Sequence, residues 1–363
     1  MKQPSAFATA ALLAVLATGA SHAGASQDDS YGSETRSVAA FSKINLIGPF
    51  HVIVTNDAGK DSVELSGLKR RMAEIETSVS GDTLTVRQPR GKEGWSFNFS
   101  WGKDKKPLTV RINAAQLNSL RNAGSGDVEL QHFQGRQLTL ISDGPGDLTA
   151  SGKVEDLTVT ANGPGDLDLR ALHSGNLNLQ MSGPGDVSAS GVSSDLNLVV
   201  NGPGDLDITD IHAGRVNASL HGPGSVDLQG SAREIRAEVS GSGDLSACGL
   251  QAEAASAILH GPGDACLAGA IKKLDAEVHG SGDLTVKGLQ AQSVRASLSG
   301  PGNMTLSGTT GSLSALISGP GDLDARQLCT RQSEVTVRGP GNATVAIADN
   351  ANYTASHLVT YRR

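Results

Sequence analysis

Aromatic side chains are scarce in this chain: 11 in 363 residues, with three cysteines and four methionines. So few large rings argue against a thick globular core. The three cysteines, Cys248, Cys266 and Cys329, are too few and too unevenly spaced for a disulfide framework, and an odd count allows one intramolecular bridge at most. Past the first 20 residues no apolar run approaches the 18 or so needed for a membrane helix. Cations are short in the body of the chain. Residues 24–121 balance at +3, whereas residues 122–363 hold 15 Lys and Arg against 26 Asp and Glu, a balance of −11. An acidic body argues against nucleic acid as a partner, because phosphate binding rests on Lys and Arg. Also missing are G-x-S-x-G, H-E-x-x-H, C-x-x-C and a completed G-x-G-x-x-G.

What is abundant is glycine, 45 residues of it. The opening MKQPSAFATAALLAVLATGASHA reads as a secretory signal peptide over residues 1–23, with no cysteine after the apolar run to suggest a lipoprotein. Residues 24–37 read as a linker. From residue 122 a corner of the form Gly-Pro-Gly, or Gly-Ser-Gly in three cases, recurs twelve times at spacings that alternate strictly between 20 and 19. The residue that follows is Asp127, Asp147, Asp166, Asp186, Asp205, Ser225, Asp244, Asp264, Asp283, Asn303, Asp322 or Asn342. Such a period means a solenoid.

Between corners the apolar residues alternate. In the coil from Asp166 they are Leu167, Leu169, Leu172, Leu177, Leu179 and Met181. Period two within short runs is the strand signal, so each repeat is one coil of at least two short strands turned onto a narrow interior. The expectation is an all-β parallel β-helix, right-handed by the handedness of parallel crossovers, with about twelve regular coils over residues 122–346. At ~4.8 Å per coil it would be a rod about 55 Å long. Proline followed by glycine predicts a type II turn at each corner. Residues 38–121 read as an irregular β start, and residues 347–363 as a tail too short for a translocating barrel.

Stacking sets Asp127, Asp147, Asp166, Asp186, Asp205, Asp244, Asp264, Asp283 and Asp322 in one column, each ~5 Å from the next. Three readings compete: turn chemistry in which the acid accepts a backbone N–H near its own turn, a calcium ladder, or an acidic stripe for a basic partner. His221, His260 and His279 fall just before the corner, where a tolerant polar ladder competes with a surface metal site. Cys248 and Cys266 would face outward on adjacent coils, but two residues out of step and so beyond bridging distance. In residues 91–107, Trp95, Phe97, Phe99 and Trp101 alternate among lysines. They read as a hairpin capping the solenoid or as an exposed aromatic platform for a ligand.

The segments FSKINLIGPFHVIV, TLTVR, LTVRINAAQLNSL and GSGDVEL resemble the bacterial auto-transporter adhesin head GIN domain family. The resemblance spans about residues 41–225 directly, and the later coils extend the same repeat. It implies a β-solenoid, a periplasmic or cell-surface location and no catalytic residues. The expected function is an exported, non-enzymatic adhesin or scaffold at the cell envelope, contacting a glycan or protein and needing no cofactor. The alternatives are a polysaccharide lyase or hydrolase built on a β-helix, which needs paired carboxylates or a metal in a walled cleft, and a self-associating structural protein.

Overall fold

The computed structural model describes residues 30–89, 108–348 and 356–362. The signal peptide and the aromatic segment 91–107, with Trp95, Phe97, Phe99 and Trp101, lie outside the described residues.

The chain forms a β-solenoid built almost wholly of strands. It starts irregularly, with β1 (Tyr31–Arg36), β2 (Lys43–Ile47), β3 (His51–Thr55), β4 (Ser62–Leu68), one helical turn at Lys69–Met72, β5 (Glu76–Ser80), β6 (Thr83–Arg87), β7 (Thr109–Asn113) and β8 (Ser119–Asn122). Two parallel rows grow from these. One runs β6, β2, β8 and then Ser119↔Thr139 into the first long strand, Val128–Ser142; the other runs β7, β3 and then Val52↔Val128 into the same strand. From there each coil pairs with the next in parallel, as Leu148–Ala161 does with Leu167–Met181. The twelve corners bound eleven complete coils, and the last, at Asn342, leads only into Ala343–Ala348.

Antiparallel strands cover the ends. β5 lies antiparallel on β6, while β4 lies antiparallel on β7 and carries β1 outside it. The stretch read as a linker thus contributes a strand, a mostly exposed edge paired along its whole length with β4. At the other end Ser356–Tyr361, in the stretch read as a tail, folds back antiparallel on Ala343–Ala348. Its SHLVTY composition, rich in β-branched and aromatic residues, favours that pairing. Closing strands of this kind protect the unpaired edges that any open stack exposes.

The interior is aliphatic and one layer deep. In Leu148–Ala161 the buried residues are Leu148, Ala150, Val154, Leu157, Val159 and Ala161, and outward positions alternate with them. Among the described residues the fully buried rings are Phe41, Phe50 and Phe133, and Tyr361 packs half-buried against the same core. Narrow coils have no room for more, which accounts for the aromatic scarcity. Each buried Leu or Val contributes roughly 1.5–3 kcal/mol, so stability comes from repetition.

The corners differ from the type II turns predicted: no corner glycine has a positive φ. The reason is stacking. The residue before the corner and its first glycine both donate to one carbonyl of the previous coil, as Asn162 and Gly163 do to Ser142 at 2.8 and 3.0 Å. In several coils the last corner glycine donates to the first corner glycine of the coil before, as Gly224 does to Gly202 at 3.1 Å. A Cβ at Gly163 or Gly165 would overlap the carbonyl oxygen of Gly144 or Gly146. Glycine is there for close backbone approach. The middle position makes no such bond among the described residues, so proline is tolerated.

Positive φ is used elsewhere. Every 19-residue coil has a glycine five residues after the corner, Gly152, Gly191, Gly230, Gly269 and Gly308, with φ between 75° and 137°. The register of adjacent coils shifts beside this turn, as between Ala150 and Gly152, and the same offset also takes positive φ in three 20-residue coils, at His132, Asp210 and Gly288.

Candidate functional site

The corner column begins on a buried amide. Asn122 Nδ2 donates to the carbonyls of Gly126 and Gly146 at 3.1 and 3.2 Å, and its Oδ1 accepts the Gly124 N–H at 3.1 Å. With every polar atom partnered, it fixes the register of the first corner against the second. Sequence reading passed over it, since an asparagine one residue from a regular column carries no distinguishing signal.

Above it the predicted acids do form one column, on the solvent side of the corners. Each accepts a bond, and the donor is one coil away. Asp127 Oδ1 accepts the Asp147 N–H at 3.2 Å, Asp147 that of Asp166 at 2.9 Å, Asp166 that of Asp186 at 2.9 Å and Asp186 that of Asp205 at 2.9 Å. Asp205 serves Ser225, Asp244 serves Asp264, Asp264 serves Asp283, Asp283 serves Asn303 and Asp322 serves Asn342, all at 2.7–2.8 Å. Asn303 takes the same role toward Asp322 at 3.1 Å. The carboxylate therefore joins coils, where the first of the three sequence readings had it accepting an N–H near its own turn. Parallel stacking leaves the corner N–H facing the coil before it, which is why the acceptor comes from there.

The outward residues two places beyond the corner add carboxylates to this face. Asp207 and Asp227 stand beside Asp186, Asp205 and Asp244 along a shallow groove of about 480 Å³, with Ser188 and Ser246 on either side of the pair. Two such acids are neutralised locally: Arg170 grips Asp168 at 2.6 and 2.9 Å, and Arg326 grips Asp324 likewise. The hydrogen bond from each arginine holds its aspartate below the ordinary carboxylate range, against a smaller opposing push from burial.

Other predicted residues can now be placed. His260 and His279 are stacked neighbours, rings 5.1 Å apart and 10° from parallel. His279 spends its nitrogens on Ser299 Oγ at 2.8 Å and Glu277 at 3.1 Å, a polar ladder. Among the described residues no three His, Cys, Asp or Glu side chains converge as a metal site. Calcium needs six to eight oxygens in one shell, and each column acid already commits Oδ1 to a backbone N–H of the next coil.

Cys248 and Cys266 require a correction, because they are joined in a disulfide with Cα atoms 5.3 Å apart. Pairing of the two coils slips between Ala247↔Leu267 and Gln251↔Ala268. The longer coil thus carries residues 248–250 opposite no partner, and the bulge brings Cys248 back toward Cys266, whose paired residue is Ser246. A strict count of offsets assumes unbroken register, which fails at this slip.

The sequence profile described as "Putative auto-transporter adhesin, head GIN domain" matches residues 40–194, 191–289 and 272–359. The chain belongs to this head GIN family. Its fold also resembles solved structures. One, titled a putative adhesin from Bacteroides fragilis, is 20% identical over 85% of this head GIN chain and 99% of its own, with a TM-score of 0.28. A putative adhesin from Parabacteroides distasonis is 16% identical over 85% and 98%, TM-score 0.36. A putative lipid binding protein from the same species is 14% identical over 86% and 96%, TM-score 0.34. No curated protein matches. No helix among the described residues is long and apolar enough to cross a membrane.

Proposed function

We propose that this head GIN solenoid is an exported, non-enzymatic binding or scaffolding module of the adhesin type, working at the bacterial cell envelope. The observation that carries the reading is the outward lattice. Backbone ladders hold successive coils in register, so one polar column repeats at every coil: the corner acids form one such row, and Asn178, Asn197 and Asn217 form another, linked side chain to side chain at 2.8 and 2.7 Å. A rigid surface of repeating donors and acceptors suits recognition of a repeating partner, a glycan above all, at little cost in ordering. Family membership supports the adhesin class. The leader at residues 1–23 and the disulfide between coils support export to an oxidising compartment, periplasm or cell surface.

In this reading residues 38–121 form the base and residues 122–346 the shaft, and Trp95, Phe97, Phe99 and Trp101 add an aromatic contact near the base, on sequence grounds. The test is binding of the mature protein to glycan arrays and envelope fractions, with and without calcium, beside a Trp95→Ala/Trp101→Ala variant. Saturable binding supports the module, and its loss in the variant supports the aromatic contact. Absence of binding to every array and fraction overturns the reading in favour of a structural, self-assembling protein.

A further inference from the structure

A second row of outward side chains crosses the coils away from the corner acids. Its register is Gln134↔Lys153↔His173, and further along His212↔Ser231. The coil between His173 and His212 breaks the row. It is one residue shorter than its neighbours, its first strand ends at Ser190, and it sets Gly191 where they have side chains. Gly191 turns with φ 75°, and Ser174 and His212 hydrogen-bond through their N–H groups to the carbonyls of Gly191 and Val192 at 3.0 and 2.8 Å.

The result is a notch of about 430 Å³, lined among others by Lys153, His173, Ser174, Ser193, Asp210 and His212. The two histidines stand two coil spacings apart, roughly 10 Å along the rod. His173 leans into the gap, since a Cβ on Gly191 would collide with its Nδ1. Neither Lys153 nor the His173 ring has a hydrogen-bond or ion-pair partner among the described residues. His212 is already oriented: its Nδ1 lies 3.5 Å from the Asp210 carboxylate and 3.4 Å from the Asp210 carbonyl, which leaves Nε2 for another partner. Asp210 itself holds φ 54°, at the offset where every short coil has glycine. Holding a non-glycine residue there costs about 1 kcal/mol. One lysine and two imidazoles face one carboxylate here, a cluster of potential donors on a body whose balance is −11.

We propose that this notch binds the carboxylate of an acidic saccharide, an inference that rests on the reading of the chain as a binding module. His173, His212 and Lys153 donate charge-assisted hydrogen bonds to the carboxylate oxygens. A second groove continues past His212 along Ser231 and Gln251, whose hydroxyl and amide meet sugar hydroxyls. That extension favours a saccharide over a free anion. The acidic corner face repels such a polymer and leaves this flank as the place for it.

The experiment is calorimetry of the mature protein with galacturonate oligomers, their methyl esters and inorganic phosphate, at pH 5.5 and pH 8. The acid oligomers should bind, the uncharged esters about tenfold more weakly or worse. Affinity should be several-fold higher at pH 5.5 than at pH 8, the general behaviour of imidazole donors toward an anion. A His173→Gln/His212→Gln variant should lose about tenfold in affinity at pH 5.5 with an unchanged melting temperature. Equal binding by the variant, equal binding of the esters, or full displacement by phosphate at matched concentration overturns the proposal. Absence of any uronate binding by a protein that does bind other array glycans sinks the notch and leaves the module reading standing.

Discussion

Asp147 Oδ1 accepts the backbone N–H of Asp166, in the next coil, at 2.9 Å. The same bond recurs along the corner, and Asn303 makes it without a charge. The requirement is therefore an acceptor of the right reach, and the charge is surplus to it. Like charges at ~5 Å spacing, five in a row from Asp127 to Asp205 and three from Asp244 to Asp283, then repel one another.

Substitutions within the column should separate these two effects. Asp166→Ala strands the Asp186 N–H contact and should cost about 1–2 kcal/mol, whereas Asp166→Asn keeps it and should stay within about 0.5 kcal/mol of the parent. Urea denaturation at low and high salt checks both. Added salt should stabilise the parent by screening the column, and less so a variant with several Asn replacements. An Asn variant as weak as the Ala variant would show that charge, not geometry, is what the corner needs.

Glycine's two roles can be told apart in the same way. Gly81 has φ 60° and open space around it, so Gly81→Ala pays backbone strain alone, about 1 kcal/mol. Gly165 needs no special φ, yet a Cβ there would overlap the Gly146 carbonyl, and relief requires two coils to move apart. Gly165→Ala should cost more than Gly81→Ala, about 2–3 kcal/mol by the measure of overpacked interiors. Melting temperatures of the two variants settle the order, and the reverse order would refute the stacked corner.

The disulfide closes a loop of 18 residues across the register slip. Chain-entropy reasoning assigns a bridge of that span roughly 3 kcal/mol. Cys248→Ser, or reductant, should lower stability by up to that amount, and alkylation of the unreduced, unfolded protein should label Cys329 but not Cys248 or Cys266. Alkylation at all three would mean that the bridge does not form.

Regularity explains what could be read in advance. Alternation such as Leu167, Leu169, Leu177 and Leu179 needs only the two-residue strand period, and the corner spacing needs only counting, so coil, column and the His260–His279 neighbours were all legible. What escaped depends on how one coil sits on another. The corner looked like a type II turn because Pro-Gly satisfies that turn locally, while the neighbouring carbonyl that excludes a Cβ lies about 20 residues away. The Cys248–Cys266 bridge escaped because offsets are additive only until a bulge intervenes. The closing strands Tyr31–Arg36 and Ser356–Tyr361 lie outside the period altogether, with their partners distant or reversed. The notch was missed although Gly191, Lys153, His173 and His212 were all visible, because only the stacking of the coils brings them around one cavity.

Acid should reveal the arginine clamps. Asp168 and Asp324 have carboxyls held below the ordinary value of 3.8 by hydrogen bonds from Arg170 and Arg326, and Asp195 is held down likewise by Arg215. A carboxyl whose folded pKa is depressed binds its proton more readily when unfolded. Its contribution is complete above pH 3.8 and is lost as pH falls through the lower folded value. All three pairs are solvent-exposed, so screening keeps each contribution small. Comparison with an Arg170→Gln/Arg326→Gln variant isolates the clamps: the parent should lose more stability than the variant between pH 5 and pH 2.5, and the difference should shrink in high salt. Parallel pH profiles for the two proteins would show that the clamps contribute nothing to folding.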